Sequence, residues 1–202
     1  MKRQTLTTVL IAAAAVLLPV LIVSSFAGMG RRTASQAQAE SSVVTVHPHE
    51  ERIENADRAG RTTVFLAGTI DMGNSVDWQA RADSLFAALP SGRFMLFNPR
   101  QEHWDAAKPG EMDYQVNWEL EHLEQADWII MNFLPGSQSP ITLLELGLHA
   151  RGGRLLVICP PEFYRYDNVR ITCAKYGVPM FGSLEDAVRH VAQTKKMTIF
   201  TD

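Results

Sequence analysis

Glu145 is the residue of this sequence whose position most needs a chemical explanation. It lies in a predicted helix over residues 141–150. Ile141, Leu144 and Leu148 have the i, i+3, i+7 spacing that predicts the buried face of that helix. A carboxylate among leucines costs free energy to desolvate unless it is paired, hydrogen-bonded or facing a cavity. Two interpretations stay open: an edge glutamate that reaches water or an arginine, and a functional acid in a cleft.

Glu119 has a similar position on the preceding predicted helix. Val116, Leu120 and Leu123 predict the inward face of that helix, and Glu119 borders this face. Two carboxylates in a partly apolar cleft can divide their roles, one as a nucleophile and the other as a proton donor. The spacing fits equally well with two unrelated glutamates at the edges of their helices.

Strands and helices alternate from residue 62 onward, and this alternation would position both acids. Short apolar runs rich in β-formers predict five strands, at 63–68, 94–97, 128–132, 155–159 and 178–181. Amphipathic segments predict the helices between and after them, at 77–89, 112–126, 141–150, 169–176 and 183–194. The pattern indicates an α/β fold, a flavodoxin-like doubly wound five-stranded parallel sheet in the order 2-1-3-4-5. Ligands bind such sheets at the carboxyl ends of the strands.

The loops after the predicted strands carry further candidate residues. Gly68 and Thr69 follow the first strand, where a glycine permits a tight turn and the close approach of a ligand. Asn98 and Arg100 follow the second strand, and the guanidinium could bind a phosphate or a carboxylate. Aromatic side chains near Asn168, after the fourth strand, could stack on a base. Each of these loops could equally have only a structural role.

The composition argues against several classes of partner and cofactor. A formal net charge of −3 gives no electrostatic case for a nucleic acid partner. The two cysteines lack the CxxC spacing of a metal or redox site, and the six histidines form no HxxxH or HExxH motif. The loop after the first strand has neither GxGxxG nor a Walker lysine. We therefore expect no metal and no cofactor.

Residues 1–30 are predicted to be a signal anchor or a signal peptide. Two basic residues precede an uncharged stretch whose most apolar part, 9–23, has the length of a signal-peptide core. Continued through Ala27, the stretch is long enough to span a bilayer. Arg31 and Arg32 follow directly, which favours a single-pass membrane anchor; export after signal-peptide cleavage is the alternative. Basic residues on both sides leave the orientation undecided.

The remainder of the chain divides into a predicted linker and a predicted domain. Residues 31–61 combine an Ala, Gln and Ser stretch with a dense run of charge and have no apolar period. This composition predicts a flexible linker. Residues 62–202 are predicted to form the α/β domain, and a chain of 202 residues suits one such domain with an appendage.

A set of short motifs resembles the nucleoside 2-deoxyribosyltransferase-like family over residues 62–182. In order, these motifs are Val64–Ile70, Asn98–Arg100, Trp118–Glu119, Ala126–Asp127, Leu143–Gly147, Cys159–Pro160 and Asn168–Val169. The resemblance implies a flavodoxin-like fold and cleavage of N-glycosidic bonds by a glutamate nucleophile in an ELG motif, here Glu145. It also implies a pocket carboxylate eight residues before Asp127. That residue is Glu119, a glutamate where the related transferases carry an aspartate.

The resemblance implies a reaction as well. Glu145 would attack C1′ of the (deoxy)ribosyl group of a nucleoside or nucleotide and form a covalent glycosyl-enzyme, while Glu119 protonates or positions the leaving base. Another base or water would then receive the sugar, so we expect a glycosyltransferase or an N-glycoside hydrolase. The implied substrate-binding residues are Gly68, Thr69, Asn98, Arg100, Asp127 and Asn168. A homo-oligomer is also expected, because family members often complete the pocket from a neighbouring subunit.

Two other functions fit the same residues. A membrane-tethered module that senses a nucleotide without turnover would show saturable binding and release no free base. Cleavage of NAD by the same glutamate chemistry would release nicotinamide. Assays for the released base therefore separate the three hypotheses.

Overall fold

The computed structural model describes residues 42–71, 74–105 and 107–198. Strands and helices alternate through this part of the chain. Its strands are β1 (Val43–Val46), β2 (Thr62–Gly68), β3 (Phe94–Phe97), β4 (Trp128–Asn132), β5 (Leu155–Ile158) and β6 (Met180–Phe181). Its helices are α1 (Glu51–Asp57), α2 (Trp78–Ala87), α3 (Glu111–Gln125), α4 (Pro140–His149), α5 (Tyr166–Tyr176) and α6 (Leu184–Thr198).

The strands form one parallel sheet in the order β1-β3-β2-β4-β5-β6. The last five strands of the chain follow the predicted order 2-1-3-4-5, and the architecture is consistent with a flavodoxin-like fold. Gly68 of β2 is level with Asn132 of β4, and Asn132 is level with Ile158 of β5. The carboxyl ends of the central strands therefore lie at one edge of the sheet.

Helices cover both faces of the sheet, so the central strands are apolar on both sides. Alternate residues of a strand enter opposite cores: Phe65 packs on one face, and Val64 and Leu66 on the other. The first core includes Trp118, Leu123, Leu146, Val169 and Cys173, from α3, α4 and α5. The second includes Phe86, Val188 and Val191, from α2 and α6. This two-sided burial is what the uninterrupted apolar strands of the sequence predict.

The sheet has a sixth strand in a stretch predicted to be a linker. β1 pairs in parallel with β3, with Thr45 level with Leu96, and its residues Val43 and Val46 are buried. The prediction of a flexible linker is therefore wrong over residues 43–57. Four residues are too few to show a period, and the hydrogen bonds that hold β1 come from an edge of β3 distant in sequence. α1 buries none of its residues, so it leaves no apolar pattern to detect.

Residues 1–30, with the predicted signal or anchor segment, and residues 31–41 of the predicted linker lie outside the described residues. No helix in the described ranges is long and apolar enough to cross a membrane.

The predicted inward faces of α3 and α4 are wrong in part. Ile141, Leu144 and Leu148 are 59%, 59% and 57% exposed, whereas Glu145 and Leu146 are buried. On α3, two of the three residues predicted to face inward are exposed as well. Val116 and Leu120 are each 42% exposed, and only Leu123 is buried. Periodicity identified an apolar face on each helix, but it could not tell whether that face meets the core or a cleft.

Gly68 ends β2 with a backbone φ of 142°, in the region that favours glycine. A Cβ at this position would lie 2.3 Å from the carbonyl oxygen of Asn132. The absence of a side chain at Gly68 therefore allows the backbone of β4 to lie close to β2.

We predict that Gly68→Ala lowers the free energy of unfolding by roughly 2–4 kcal/mol, because β2 and β4 must separate to admit the methyl group. Urea denaturation measures the change. The matched control is Gly147→Ala, where the added Cβ has no atom within 4 Å other than those of its own helix backbone and chain neighbours. Equal destabilisation of the two variants would contradict the assignment of the contact.

Candidate active site

A cavity of about 700 Å³ lies at the carboxyl ends of β2 and β3, against α3 and the first turns of α4. Glu145, Glu119, Gly68, Thr69 and Arg100 all line it. This is the edge of a parallel sheet at which ligands bind, and the volume suits a small molecule. The structure thus brings together five of the eight predicted site residues.

Apolar side chains form much of the cavity wall. These exposed residues come from successive turns of α3 and α4: Met112, Val116, Leu120, Ile141, Leu144 and Leu148. The apolar stripes that the sequence placed in the core therefore face the cavity. They lower the local polarity around the two carboxyl groups, which makes ionisation of both groups costly.

Glu145 is 8% exposed, on the side of α4 that faces the sheet. Burial, and to a lesser extent the charge of Glu119, raises the pKa of its carboxyl to about 8. Among the described residues, no side chain donates a hydrogen bond that would favour the ionised form. The carboxyl is thus desolvated and keeps its proton to a higher pH than usual, rather than being tied into an ion pair.

Glu119 is half-buried on α3, and burial raises its pKa as well. The amide of Gln115 opposes this shift, because its Nε2 donates a 2.7 Å hydrogen bond to Oε1 of Glu119. The two glutamates interact electrostatically across the cavity. The two carboxyl groups therefore have different environments within one site, because only Glu119 accepts a hydrogen bond from Gln115. Their mutual repulsion favours the form of the pair that holds one proton over the form that has lost both.

A chain of hydroxyl groups lies where β2 and β4 end. Thr69 Oγ1 is 2.6 Å from Ser139 Oγ, and Ser139 Oγ is 2.7 Å from Ser137 Oγ. Ser137 donates to Asp71 Oδ1 at 2.7 Å, and Thr69 Oγ1 accepts from the backbone N–H of Leu134 at 3.1 Å. Because each hydroxyl has one proton, donation runs from Thr69 through the serines to the aspartate.

Ser139 occupies the N-cap position of α4 without a capping hydrogen bond from its side chain. Its φ of 42° is unusual for a residue with a Cβ, and its side chain is used in the hydroxyl chain instead. The strained backbone of Ser139 thus lies at the cavity wall. The hydrogen bond between its side chain and Thr69 holds the start of α4 against the end of β2.

Arg100 lines the cavity, but its guanidinium already has partners. Nη2 donates to Ser75 Oγ at 3.0 Å and to Gln79 Oε1 at 3.3 Å, and Nε is 3.6 Å from Asp77 Oδ1. Asn98 is buried behind it and accepts from the backbone N–H of Arg100 at 3.0 Å. The loop after β3 is therefore braced by these two residues, and Asn98 does not line the cavity.

Asp127 and Asn168, which the resemblance implied for substrate binding, do not line the cavity. Asp127 precedes β4 at the opposite edge of the sheet, where its Oδ2 accepts from the N–H and the hydroxyl of Thr63 at 2.8 and 3.0 Å. It ties the start of β4 to β2. Asn168 is exposed in the first turn of α5. A strand-leading aspartate suits a hydrogen bond to a neighbouring strand as well as a ligand contact, and sequence alone could not separate the two.

Gln115 is the site residue that sequence reasoning missed. It is buried, lines the cavity and contacts Glu119 directly. The i, i+4 spacing of the two residues on a predicted helix was the available signal. Ser137 and Asp71 were also missed as partners in the hydroxyl chain, because they come from loops without a periodic pattern.

The family model for nucleoside 2-deoxyribosyltransferase-like proteins matches residues 61–163 of the chain. The protein belongs to this family. The match spans both cavity glutamates and ends before Asn168, so the family assignment bears on the site itself. No curated protein sequence matches the chain.

Several solved structures are similar to this chain, among them the following two. A conserved protein from Enterococcus faecalis V583 aligns with a TM-score of 0.51 and 11% identity, over 66% of this chain and 99% of that protein. A 2-deoxyribosyltransferase from Bacillus psychrosaccharolyticus aligns with a TM-score of 0.47 and 16% identity, over 62% of this chain and 90% of that one. At these identities, the first likeness shows the fold alone.

The raised pKa of Glu145 predicts a pH-dependent stability. Between its ordinary pKa of 4.5 and its folded value of about 8, the folded protein keeps a proton that the unfolded chain loses. Stability therefore falls as the pH rises through this window. Replacing the acid by Gln removes the effect, so we expect Glu145→Gln to gain on the order of 1–3 kcal/mol over the wild type from pH 5 to pH 8.

Urea denaturation at several pH values between these limits measures the difference. Glu121→Gln, on the solvent side of α3, is the control and should follow the wild-type pH dependence. A constant difference between Glu145→Gln and the wild type at all pH values would show that Glu145 ionises normally.

Proposed function

We propose that this protein cleaves the N-glycosidic bond of a nucleoside or nucleotide and passes the (deoxy)ribosyl group to another base or to water. The observation that carries the proposal is the burial of Glu145 beside Glu119 in a cavity of suitable size. Membership of the nucleoside 2-deoxyribosyltransferase-like family supports it independently. The position of the cavity at the carboxyl ends of the strands agrees with both.

In the proposed reaction, a carboxylate oxygen of Glu145 forms a bond to C1′ of the sugar. The C1′–N bond breaks, and its electron pair leaves with the base, which receives a proton from Glu119 or from water. The glycosyl-Glu145 ester then reacts with a second base or with water, whose proton passes to Glu119 or to solvent, and the Glu145 carboxylate is restored. Because the pair of acids favours a single proton, one of its two forms has Glu145 ionised and Glu119 protonated, as this reaction needs.

The rest of the cavity suits the two halves of such a substrate. The apolar walls from α3 and α4 and the half-buried Trp104 offer surfaces on which a planar base can pack. Three members of the hydroxyl chain, Thr69, Ser139 and Asp71, line the cavity and offer hydroxyl and carboxylate groups to sugar hydroxyls. A phosphate group would have to compete with Asp77 for Arg100.

We expect the full-length chain to release free base when it is incubated with a panel of nucleosides, nucleotides and NAD, as measured by chromatography. Glu145→Gln should lower the rate by at least about 10³-fold without lowering the unfolding midpoint, because it removes the nucleophile. Glu121→Gln is the matched control and should keep the wild-type rate. The wild-type rate at limiting substrate should fall as the pH rises through about 8, because the pair then loses the single proton that the reaction needs.

Each alternative has its own outcome in this assay. An undiminished rate in Glu145→Gln would reject the proposed mechanism. Saturable ligand binding without any released base would favour the sensing module. Release of nicotinamide from NAD, with no base from the deoxynucleosides, would change the substrate class while keeping the glutamate chemistry.

A further inference from the structure

The carboxyl group of Glu119 is held in the cavity by one buried amide. Gln115 is 8% exposed, and its Nε2 donates to Glu119 Oε1 at 2.7 Å and to the carbonyl oxygen of Pro99 at 2.9 Å. Its Oε1 accepts from Nε2 of Gln101 at 2.6 Å. Both donor positions of the amide and one of its acceptor positions are therefore occupied.

These contacts fix the orientation of the amide. If Gln115 were flipped, its carbonyl oxygen would face Glu119 and Pro99, which both offer oxygen acceptors. Its NH₂ group would then face the NH₂ group of Gln101. Because the flipped arrangement loses three hydrogen bonds in a buried place, the amide must present a donor to Glu119.

Gln101 is itself braced from the other side. Its Nε2 also lies 3.3 Å from Oε1 of Glu111, which is 2.8 Å from His49 Nε2. Lys108 Nζ donates to the other carboxylate oxygen at 2.7 Å. The hydrogen bonds from His49 and Lys108 lower the pKa of Glu111 to about 2, so this end of the network stays ionised. The line of contacts thus runs from the segment between β1 and α1 to the cavity.

We propose that Gln115 is a positioning residue for glycosidic cleavage: by occupying Oε1 of Glu119, it leaves Oε2 as the oxygen that carries a proton and delivers it to the leaving base. The inference rests on the proposed function and concerns the same cavity. It assigns different tasks to the two oxygens of one carboxyl group. The amide also favours ionisation of Glu119, so removal of the amide makes Glu119 a weaker acid.

Other charged groups face the same cavity and must be considered in any titration of Glu119. They are Asp71 after β2, Arg100 and Glu102 after β3, and Glu145 on α4. Glu145 is the group whose charge couples to Glu119, whereas Arg100 is engaged by Asp77. Gln115→Met leaves all of these groups in place, so a change in the titration of Glu119 reports on the amide.

The direct test is a carbon-13 NMR titration of the glutamate carboxyl groups in the full-length chain, with Gln115→Met compared with the wild type. We expect the pKa of Glu119 to rise by roughly one unit, because one hydrogen bond to the ionised form is lost. Gln125→Met is the matched control, since Gln125 donates to Glu121 at 2.9 Å on the same helix, outside this cavity. The Glu119 titration should be unchanged in that variant.

The kinetic test uses the base-release assay. Gln115→Met should lower kcat roughly 10–100-fold, change KM by less than about threefold, and shift the pH profile of kcat. In a Glu119→Gln background, the same substitution should cost little more, because the group that it positions is gone. A full additional loss in that background would show that Gln115 acts through packing and would overturn the inference.

Two further results separate the role of Gln115 from an effect on folding and from a failure of the proposed function. If Gln115→Met does not fold, Gln101→Met should give a smaller rise in the pKa of Glu119, and no rise would overturn the inference. If the wild-type chain releases no base from any substrate, the proposed function fails. The titration still decides whether Gln115 holds the Glu119 carboxyl.

Discussion

The burial of Glu145 beside Glu119 is the constraint on which the rest of the site depends. A carboxyl group that is 8% exposed costs free energy to ionise, and here burial raises its pKa to about 8. The protein could have neutralised this cost with a basic residue. Instead, Arg100, the basic residue among those described that line the cavity, is engaged by Asp77, and Glu145 stays unpaired among the described residues. A buried carboxyl group without a basic partner is more typical of a reactive site than of a structural ion pair.

The parallel sheet explains why the two acids meet. The close contact of Gly68 with Asn132 aligns the ends of β2 and β4, and Thr69 then contacts Ser139 at the start of α4. α4 therefore begins at the cavity with its Glu145 side against the sheet and its apolar stripe along the cleft. α3 contributes its acid from the other wall. Each acid is thus placed by backbone geometry at the carboxyl ends of the strands.

Much of this arrangement could be predicted from the sequence because the signals are local. Apolar strands and amphipathic helices have characteristic periods, and the carboxyl-end rule then places Glu145 and Glu119 near each other. The failures have a common physical origin in partners distant along the chain. β1 is held by the edge of β3, Asp127 by Thr63, and the Arg100 guanidinium by Asp77 and its neighbours. Similarly, an apolar stripe looks the same whether it faces a core or a cleft.

We propose that Glu145 becomes covalently attached to the sugar during turnover. The most direct measurement is peptide mass spectrometry of the full-length protein after acid quenching during turnover of an active nucleoside. We predict a (deoxy)ribosyl adduct on the peptide that contains Glu145, formed as the first base is released and lost when a second base or water resolves it. Release of base without an adduct at any quench time, or an adduct on a different residue, would contradict covalent catalysis by Glu145.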